Sequence, residues 1–429
     1  MGQDSRSSRC LCWSQIVLTW VDGIMAGSKV LIIGCSSIGS ATARILAGDG
    51  TFDHILLADR ERGKGAALAQ ELGLRVSATG LDVPDVDALL AAVREAHASG
   101  ETVVLNATGP FTQDTLGIID SVVRIGAAYA DVNDEAGVLS KVFDSQDLDS
   151  LARNQGVAVL PGLGASPGQT NVVGRYLADR MNRVDEIRFF LVNDVRYRSQ
   201  AVWLHRFTLF GGPAAVYQDG GWTQVQAMSA FEDVQFPEPW GAIRCYAVGL
   251  EPVSLPGYFK GLKHASMMRG FLHPIMARTL KGFIELGLTG QEPAQVGSME
   301  VVPADFAAAF LTAANSDHLF NIEGLPDRLP RQVRVSGVKG GRRCALTASY
   351  SYPSMQLPVA TASCLAVGAR MLLRKETPGP GVLPPEALPP DPFIKDMESQ
   401  GSLLTVEESE DLYRKLRLTD SGQNEGRPG

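Results

Sequence analysis

The sequence predicts an α/β protein that combines a doubly wound parallel sheet with a second α+β domain, whose sheet is mixed or antiparallel. Strand and helix patterns alternate from residue 29 to about residue 131, as they do in a parallel sheet covered by helices. Near Val184 the pattern changes, and strands then follow one another through irregular links. At 429 residues the chain is longer than one core usually holds, so we expect two domains.

Composition restricts the classes of partner and site. The formal net charge is -8, and binding to phosphates needs clustered Lys and Arg, so we expect no nucleic-acid or membrane partner and a small-molecule substrate. The six cysteines and six histidines are dispersed, which predicts reduced thiols, a cytoplasmic protein and no metal site. Polar residues interrupt the apolar stretch after Arg9, so we expect residues 1–25 to be an extension before a natural start at Met25.

The first strand, turn and helix have the order of a dinucleotide-binding unit. In VLIIGCSSIGSATARIL, Gly34 permits a tight turn and Gly39 lets the helix pack close to the strand. Ser36 replaces the middle glycine of G-x-G-x-x-G, and its hydroxyl can donate to a phosphate oxygen beside the amides of the helix N-terminus. The predicted phosphate contacts are therefore Gly34, Ser36, Ser37, Ile38 and Gly39.

The second strand, HILLAD, ends at a candidate ribose-binding acid. Asp59 lies 20 residues after Gly39, where such an acid belongs. A carboxylate suits the free hydroxyls of the NAD ribose and repels a 2′-phosphate by about 4 kcal/mol at about 4 Å and an effective dielectric of about 20. The neighbouring Arg60 can hold a phosphate in bidentate fashion, so NAD is favoured and NADP stays open. The alternative for Asp59 is a helix N-cap.

Three further strands are predicted to end at the same edge of the sheet, in RVSATGLDV, ETVVLNATGPF and AAYADV. Ligands of parallel sheets bind beyond the carboxyl ends of the strands. Further cofactor contacts are therefore expected at Asp82, Val83, Asn106, Ala107, Thr108, Gly109 and Pro110. Asp131, at the end of the fifth strand, is the predicted catalytic group beside the nicotinamide, with a structural cap of the next turn as the alternative.

An ordered set of motifs resembles the saccharopine dehydrogenase-like oxidoreductases. The motifs are NATGPF, AAYADVNDE, GVAVLPGLGASPGQTNVVGRYLAD and, near the end, GVLPPEALPPDPFIKDMESQG. The resemblance covers about residues 26–407. It implies a Rossmann domain at 26–165, a substrate-binding and dimerisation domain at 166–375, and a closing segment and helix at 376–407, followed by a polar tail at 408–429.

The resemblance also implies an activity. Saccharopine reductases, carboxynorspermidine dehydrogenases and lysine 6-dehydrogenases of this layout make or break a C–N bond at an imine, so we expect an NAD(P)-dependent oxidoreductase acting on an amino-acid-derived substrate, in a homodimer. Ser166 stands where an acidic residue is common in the family, which leaves the substrate open. The alternatives are an enoyl or carbonyl reductase of the same superfamily, and a non-catalytic nucleotide-binding protein that retains the fold.

The second half supplies candidate substrate contacts. We expect QAVWLHRFTLF to form strand or turn, and His205 within it to relay a proton, since the ordinary pKa of histidine lies near neutrality. A hydrogen-bonded core histidine is the alternative. Arg196 and Arg198 are candidate clamps for substrate carboxylates, with surface charges as the alternative. The remaining candidate substrate contacts are Phe111, Asn133 and Ser166.

Three further predictions concern the elements of the second half. Val333 and Val335 should face Leu346 and Ala348 across a hairpin. Residues 259–287 are expected to contribute helix broken at Pro274. Phe306 and Phe310 lie four apart on a predicted helix, and we expect both in the core.

Overall fold

The computed structural model of the protein describes most of the chain. The described residues are 27–83, 85–98, 100–112, 114–193, 199–226, 228–248, 253–313, 324, 326–353, 357–410 and 417–418. The expected extension at residues 1–25 and the candidate clamps Arg196 and Arg198 lie outside them. Within these ranges, no helix is long and apolar enough to cross a membrane.

The first domain is built on a seven-stranded parallel sheet. Its elements are β1 (Lys29–Ile33), α1 (Ser37–Asp49), β2 (His54–Asp59), α2 (Arg62–Leu72), β3 (Val76–Gly80), α3 (Val86–His97), β4 (Thr102–Asn106), α4 (Asp114–Arg124), β5 (Ala128–Asp131), α5 (Ala136–Asp144), α6 (Gln146–Gln155), β6 (Ala158–Leu160) and α7 (Gln169–Ala178). The strand order 3-2-1-4-5-6 is that of a dinucleotide-binding sheet, and the predicted Rossmann arrangement is confirmed. Four buried apolar residues of β1, at 30–33, place it in the centre of this sheet.

The second domain is built on a mixed sheet, as predicted. Its elements are β7 (Arg183–Asn193), α8 (Gln200–Gly211), β8 (Ala214–Gln218), β9 (Gly221–Val225), β10 (Ala230–Gln235), β11 (Ala242–Val248), α9 (Leu255–Tyr258), β12 (His264–Phe271), α10 (Pro274–Glu285), β13 (Ala294–Val296), β14 (Met299–Val301), α11 (Pro303–Thr312), β15 (Arg328–Lys339) and β16 (Arg342–Pro353). β7 and β12 pair in parallel, whereas β15 and β16 form the predicted antiparallel hairpin. Its register sets Val333 opposite Ala348 and Val335 opposite Leu346, which confirms the expected facing pairs.

The C-terminal elements return to both sheets. They are α12 (Leu357–Leu373), β17 (Gly381–Val382), the 3-10 helix η1 (Pro385–Ala387), α13 (Pro390–Ser399), β18 (Thr405–Glu410) and β19 (Arg417–Leu418). β17 extends the first sheet beside β6, and α12 packs on α1, although α12 falls within the substrate domain expected at 166–375. The Arg370 guanidinium of α12 links α1 to α13, since it binds Asp49 at 2.7 Å and Asp396 at 3.0 Å. The polar tail was expected to begin at residue 408, but β18 runs across that boundary and pairs with β16.

The second sheet is strongly curled. Its order is β18-β16-β15-β7-β12-β11-β10-β19, so a flat sheet would separate β18 from β19 by about 34 Å. Glu410 and Arg417 are only seven residues apart, a span of at most about 25 Å. Arg334 of β15 also reaches Glu232 of β10 at 2.7 Å across the concave face. The two edge strands therefore lie closer together than a flat sheet would place them.

Three predictions for the second half are wrong. QAVWLHRFTLF forms α8 and not a strand or turn, because the Ser199 hydroxyl accepts a hydrogen bond from the Val202 amide and caps a helix whose apolar residues occupy several faces. The first part of the segment expected to be helical is strand β12, which pairs with β7, and the predicted helix is found only from Pro274, in α10. Phe306 and Phe310 do share one face of α11, but they are 57% and 55% exposed, because the buried face of α11 is made of alanines and Leu311.

Candidate active site

The glycine turn after β1 is built for close approach of a ligand to the backbone. Gly34 has a φ of +92°, which side chains rarely adopt, and a Cβ on Gly39 would lie 1.7 Å from the Gly34 carbonyl oxygen. Ser36 has an ordinary φ of -78°, and its hydroxyl caps none of the described amides of α1. Replacing the middle glycine by serine therefore strains nothing in this turn.

Asp59 ties the end of β2 to this turn. Its Oδ2 accepts a hydrogen bond from the Cys35 amide at 2.7 Å, and its Oδ1 accepts one from the Glu61 amide at 2.8 Å. Helix α2 begins at Arg62 with Glu61 as its N-cap, so the N-cap alternative for Asp59 does not apply. The carboxylate is thus held at the mouth of the glycine turn, where a ribose would lie.

A cleft of about 430 Å³ opens at this edge of the first sheet. Such a volume is typical of small-molecule sites. The structure brings these predicted residues together in its lining: Gly34, Ser36, Asp59, Arg60, Asp82, Val83, Asn106, Ala107, Thr108, Gly109, Pro110 and Phe111. Ser37, Ile38 and Gly39 instead form the first turn of α1 beside the cleft, and Phe111 lies here and not in a separate substrate cavity.

The sequence analysis missed several residues of this cleft. They are Ile33, Ala58, Glu61, Lys64, Leu81, Thr112, Asp114, Thr115 and Ile118. Lys64 donates to Glu61 Oε1 at 2.6 Å, and this hydrogen bond raises the pKa of Lys64. The spacing of Glu61 and Lys64 by three residues in a helical segment after Asp59 could have indicated the pair.

Asp131 is fully buried and does not line the cleft. Its Oδ1 accepts hydrogen bonds from the amides of Gly162 at 2.7 Å and Asn133 at 3.0 Å, and its Oδ2 accepts one from the Tyr129 hydroxyl at 3.0 Å. Burial raises the pKa of Asp131 to about 6 against the opposing effect of these donors. These contacts match the structural alternative for Asp131, the cap of the following turn.

A second cavity of about 190 Å³ lies between the two sheets. Its polar lining comprises Asp134, Ser166, Asn193, His205, Arg206, Arg269, Arg331 and Thr361. Asp134 and Ser166 follow β5 and β6 of the first sheet, whereas the arginines come from α8, β12 and β15 of the second domain. Predicted contacts Ser166 and His205 are thus placed together, while Asn133 is buried beside the cavity, where its Oδ1 accepts from the Glu135 amide.

His205 and Asp134 face one another in this cavity. His205 Nε2 lies 3.8 Å from Asp134 Oδ2. Burial lowers the pKa of His205, the Asp134 carboxylate opposes that effect, and Arg269 and Arg206 add to it. The net effect lowers the pKa of His205 and favours the neutral imidazole.

Arg331 is the most deeply placed cation of the cavity, with 4% of its surface exposed. Its Nη1 donates to the Ala165 carbonyl at 3.4 Å, and its guanidinium lies 5.2 Å from the centre of the Tyr352 ring. Its Nε has no hydrogen-bond partner among the described residues. Sequence reasoning missed Arg331, Arg206 and Arg269, because each lies in a different element, and only the charge within a mostly apolar strand, LPRQVRV, gave a signal.

Comparisons with known proteins agree with this geometry. A family model described as the saccharopine dehydrogenase NADP binding domain matches residues 30–159. The chain is 23% identical over 397 residues to the carboxyaminopropylagmatine dehydrogenase of Synechocystis sp., covering 87% of this chain and 96% of that protein.

Two solved structures share the fold. Saccharopine dehydrogenase (L-Glu forming) from Saccharomyces cerevisiae superposes with a TM-score of 0.66 and 16% identity, over 89% of this chain and 99% of that one. Homospermidine synthase from Legionella pneumophila, solved in complex with NAD, gives a TM-score of 0.56 and 11% identity, over 90% and 94% of the two chains. Together with the glycine turn, Asp59 and the cleft, these matches identify the chain as an oxidoreductase that uses a nicotinamide cofactor, with a first domain similar to the NADP binding domain of saccharopine dehydrogenase.

Proposed function

We propose that the protein interconverts an imine and a secondary amine on an amino-acid-derived substrate that carries a carboxylate. The observation that carries this proposal is the second cavity, where Arg331 and two further arginines meet the His205–Asp134 pair between the two domains. When bound in the first cleft, the nicotinamide cofactor accepts or supplies the hydride. The relative from Synechocystis is named a carboxyaminopropylagmatine dehydrogenase, and that name denotes a compound with a carboxyl group and amine nitrogens.

The arginines would hold the carboxylate of the substrate. A guanidinium matches a carboxylate with two parallel hydrogen bonds, which fixes orientation as well as position. Arg331 is best placed for this role, because its buried Nε still lacks a partner in the described part of the chain. Fixing the substrate in this way supports the rate mainly by holding the reacting atoms in register.

His205 would exchange the proton with the substrate nitrogen. In the reducing direction it gives a proton to nitrogen as the hydride reaches carbon, and in the oxidising direction it takes one up. Asp134 would orient the imidazole and favour its protonated form, which raises the pKa against the effect of burial. A positioned acid or base of this kind typically contributes about 10²- to 10⁴-fold to the rate.

NAD is the favoured cofactor. The charged residues that line the first cleft are the acids Asp59, Glu61, Asp82 and Asp114 and the bases Arg60 and Lys64. Lys64 is paired with Glu61, and acids outnumber bases, so the lining repels a further phosphate dianion. Arg60 is the cleft residue that favours NADP. Unlike Lys64, it has no acid bonded to it among the described hydrogen bonds.

The charged lining argues against the two alternatives. An enoyl or carbonyl reductase of apolar substrates needs an apolar cavity and no guanidinium, whereas Arg206, Arg269 and Arg331 line this one. A protein that only bound a nucleotide would have no need of a second, polar cavity between the domains.

The test is a screen for NADH or NADPH consumption by the purified full chain. Amino acids and diamines are paired with 2-oxoacids and aldehydes that carry a carboxylate. We expect turnover with at least one pair, reduced about 10- to 100-fold in Arg331→Leu and kept in Arg342→Leu, a control at the exposed far end of the same hairpin. Turnover only with enoyl or simple carbonyl compounds contradicts the proposal.

A further inference from the structure

A short series of buried hydrogen bonds runs from the wall of the cofactor cleft into the first sheet. Asn106, the last residue of β4, donates from Nδ2 to the Tyr129 hydroxyl at 3.2 Å. That hydroxyl donates to Asp131 Oδ2 at 3.0 Å. Tyr129 and Asp131 are fully buried and Asn106 is nearly so, which makes the series independent of solvent.

The first end of the series fixes the cofactor cleft. Asn106 lines that cleft, and its Oδ1 accepts hydrogen bonds from the Thr108 amide at 3.0 Å and the Thr108 hydroxyl at 2.6 Å. Because Oδ1 is engaged with two donors, the amide NH₂ faces Tyr129. The phenol must then accept from Asn106 and use its own proton on Asp131, so the direction of the series is set.

The second end fixes the loops of the second cavity. Asp131 Oδ1 accepts from the amides of Asn133 and Gly162. Asn133 directly precedes Asp134, and Gly162 lies in the loop that leads to Ser166. Asp134 and Ser166 both line the second cavity. The Tyr129 hydroxyl thus links the side chains that anchor the two cavities, Asn106 and Asp131.

We infer that Tyr129 is a positioning residue that sets the spacing between the cofactor cleft and the substrate cavity. The inference rests on the proposed function for the meaning of that spacing. Tyr129 lines neither cavity, so it acts through Asn106 and Asp131. Loss of the hydroxyl leaves the amide of Asn106 and the carboxylate of Asp131 each short of one buried partner, which costs more than the hydrogen bond contributes.

The experiment compares Tyr129→Phe with the wild-type full chain by hydrogen exchange and mass spectrometry, with and without saturating NADH. Tyr217→Phe is the matched control, because its exposed hydroxyl donates to the Gly220 carbonyl at 2.8 Å in the second domain. Without ligand, peptides that contain Asn133 and Gly162 should exchange about 5- to 150-fold faster in Tyr129→Phe alone, as expected when buried hydrogen-bond partners are left unsatisfied.

With NADH, the experiment measures whether protection at the cofactor cleft extends to the loops of the second cavity. In the wild type, we expect added protection both in the glycine turn and in the peptides of Asn133 and Gly162. In Tyr129→Phe, protection should persist in the glycine turn and disappear from those two peptides. A merely structural tyrosine would change overall stability, which thermal melting reports, without separating these two regions.

Asp131→Asn provides a second variant that keeps the volume of the side chain. Its amide can offer an oxygen to Gly162 only by turning an NH₂ towards the Tyr129 hydroxyl. The hydrogen bond that Tyr129 donates is then lost at the Asp131 end of the series, and the same two peptides should exchange faster. Unchanged exchange at Asn133 and Gly162 in both variants, with NADH protection retained, overturns the inference. A wild-type chain that binds no NADH contradicts the cofactor choice of the proposed function, and the ligand-free comparison still decides the role of Tyr129.

Discussion

The cofactor cleft and the second cavity are built in different ways. The cleft is made of strand ends and the turns that follow them, in order along the chain from Ile33 to Ile118. The second cavity takes its residues from seven separated stretches, between Asp134 and Thr361. A site made from consecutive βα turns has a local sequence pattern, whereas a site made from converging side chains has none.

The largest effect should come from the backbone contact that defines the first region. Gly39→Ala places a Cβ on the Gly34 carbonyl oxygen, and such overpacking costs about 3 kcal/mol or more when backbone must move, so NADH affinity should fall by about 100-fold. Gly48→Ala in the same helix meets nothing within 4 Å and should leave binding unchanged. Titration of nicotinamide fluorescence measures both, and equal affinities for the two variants would remove the glycine turn from the cofactor site.

The second region should respond to a change in its buried cation. Arg331→Leu removes a charged donor from the cavity, and hydrogen bonds to charged groups contribute about 1.5–3 kcal/mol, so kcat/KM for a carboxylate-bearing substrate should fall about 10- to 100-fold. Arg331→Lys keeps the charge without the planar fork and should recover part of the loss. NADH affinity should remain unaltered in both, and a parallel loss of NADH binding would contradict the separation of the two regions.

A smaller effect is expected where charge selects the cofactor. Asp59→Asn keeps the shape of the side chain and removes the carboxylate that opposes a 2′-phosphate, so the ratio of NADPH to NADH affinity should rise about tenfold after screening by solvent. Asp53→Asn, at the opposite end of β2, controls for net charge. An unchanged ratio would show that Asp59 serves only the Cys35 and Glu61 amides.

The smallest effect concerns the pH dependence of the second region. If protonated His205 supplies the proton, the reducing rate falls as pH rises through its pKa. Asp134 raises the pKa of His205, so Asp134→Asn should move this falling limb to lower pH, by less than about one unit for a partly exposed pair. Asp144→Asn, exposed at the end of α5, should not move it. A shift to higher pH, or none, contradicts the proposed pair.

The sequence predicted the first region well because glycines, strand ends and carboxylates there have fixed spacings. Asp59 and the NATGP turn lie in the cleft as expected. The role of Asp131 was harder to predict, since a catalytic group and a structural anchor can both stand at the end of β5. Only the hydrogen bonds from the Gly162 and Asn133 amides distinguish the two roles. Those bonds come from a loop that local pattern does not position.

The second region was predicted only in part. Ser166 and His205 lie in the cavity, but α8 was mistaken for strand or turn, because its apolar residues cover several faces and give no clear period. Arg331 is set by the register of β15 against β7 and β16, which is a long-range property. Charged side chains from three distant elements meet there only after the second sheet has formed and packed against the first domain.

The most direct test of the central claim is the fate of the hydride. NADH carrying deuterium at both C4 positions is incubated with the full chain and an active amine and oxoacid pair, and the product is analysed by mass spectrometry and NMR. We expect one deuterium on the carbon bonded to nitrogen in the secondary amine. A secondary amine without deuterium, or label only in the product of a reduced C=C or C=O bond, would contradict imine reduction by this protein.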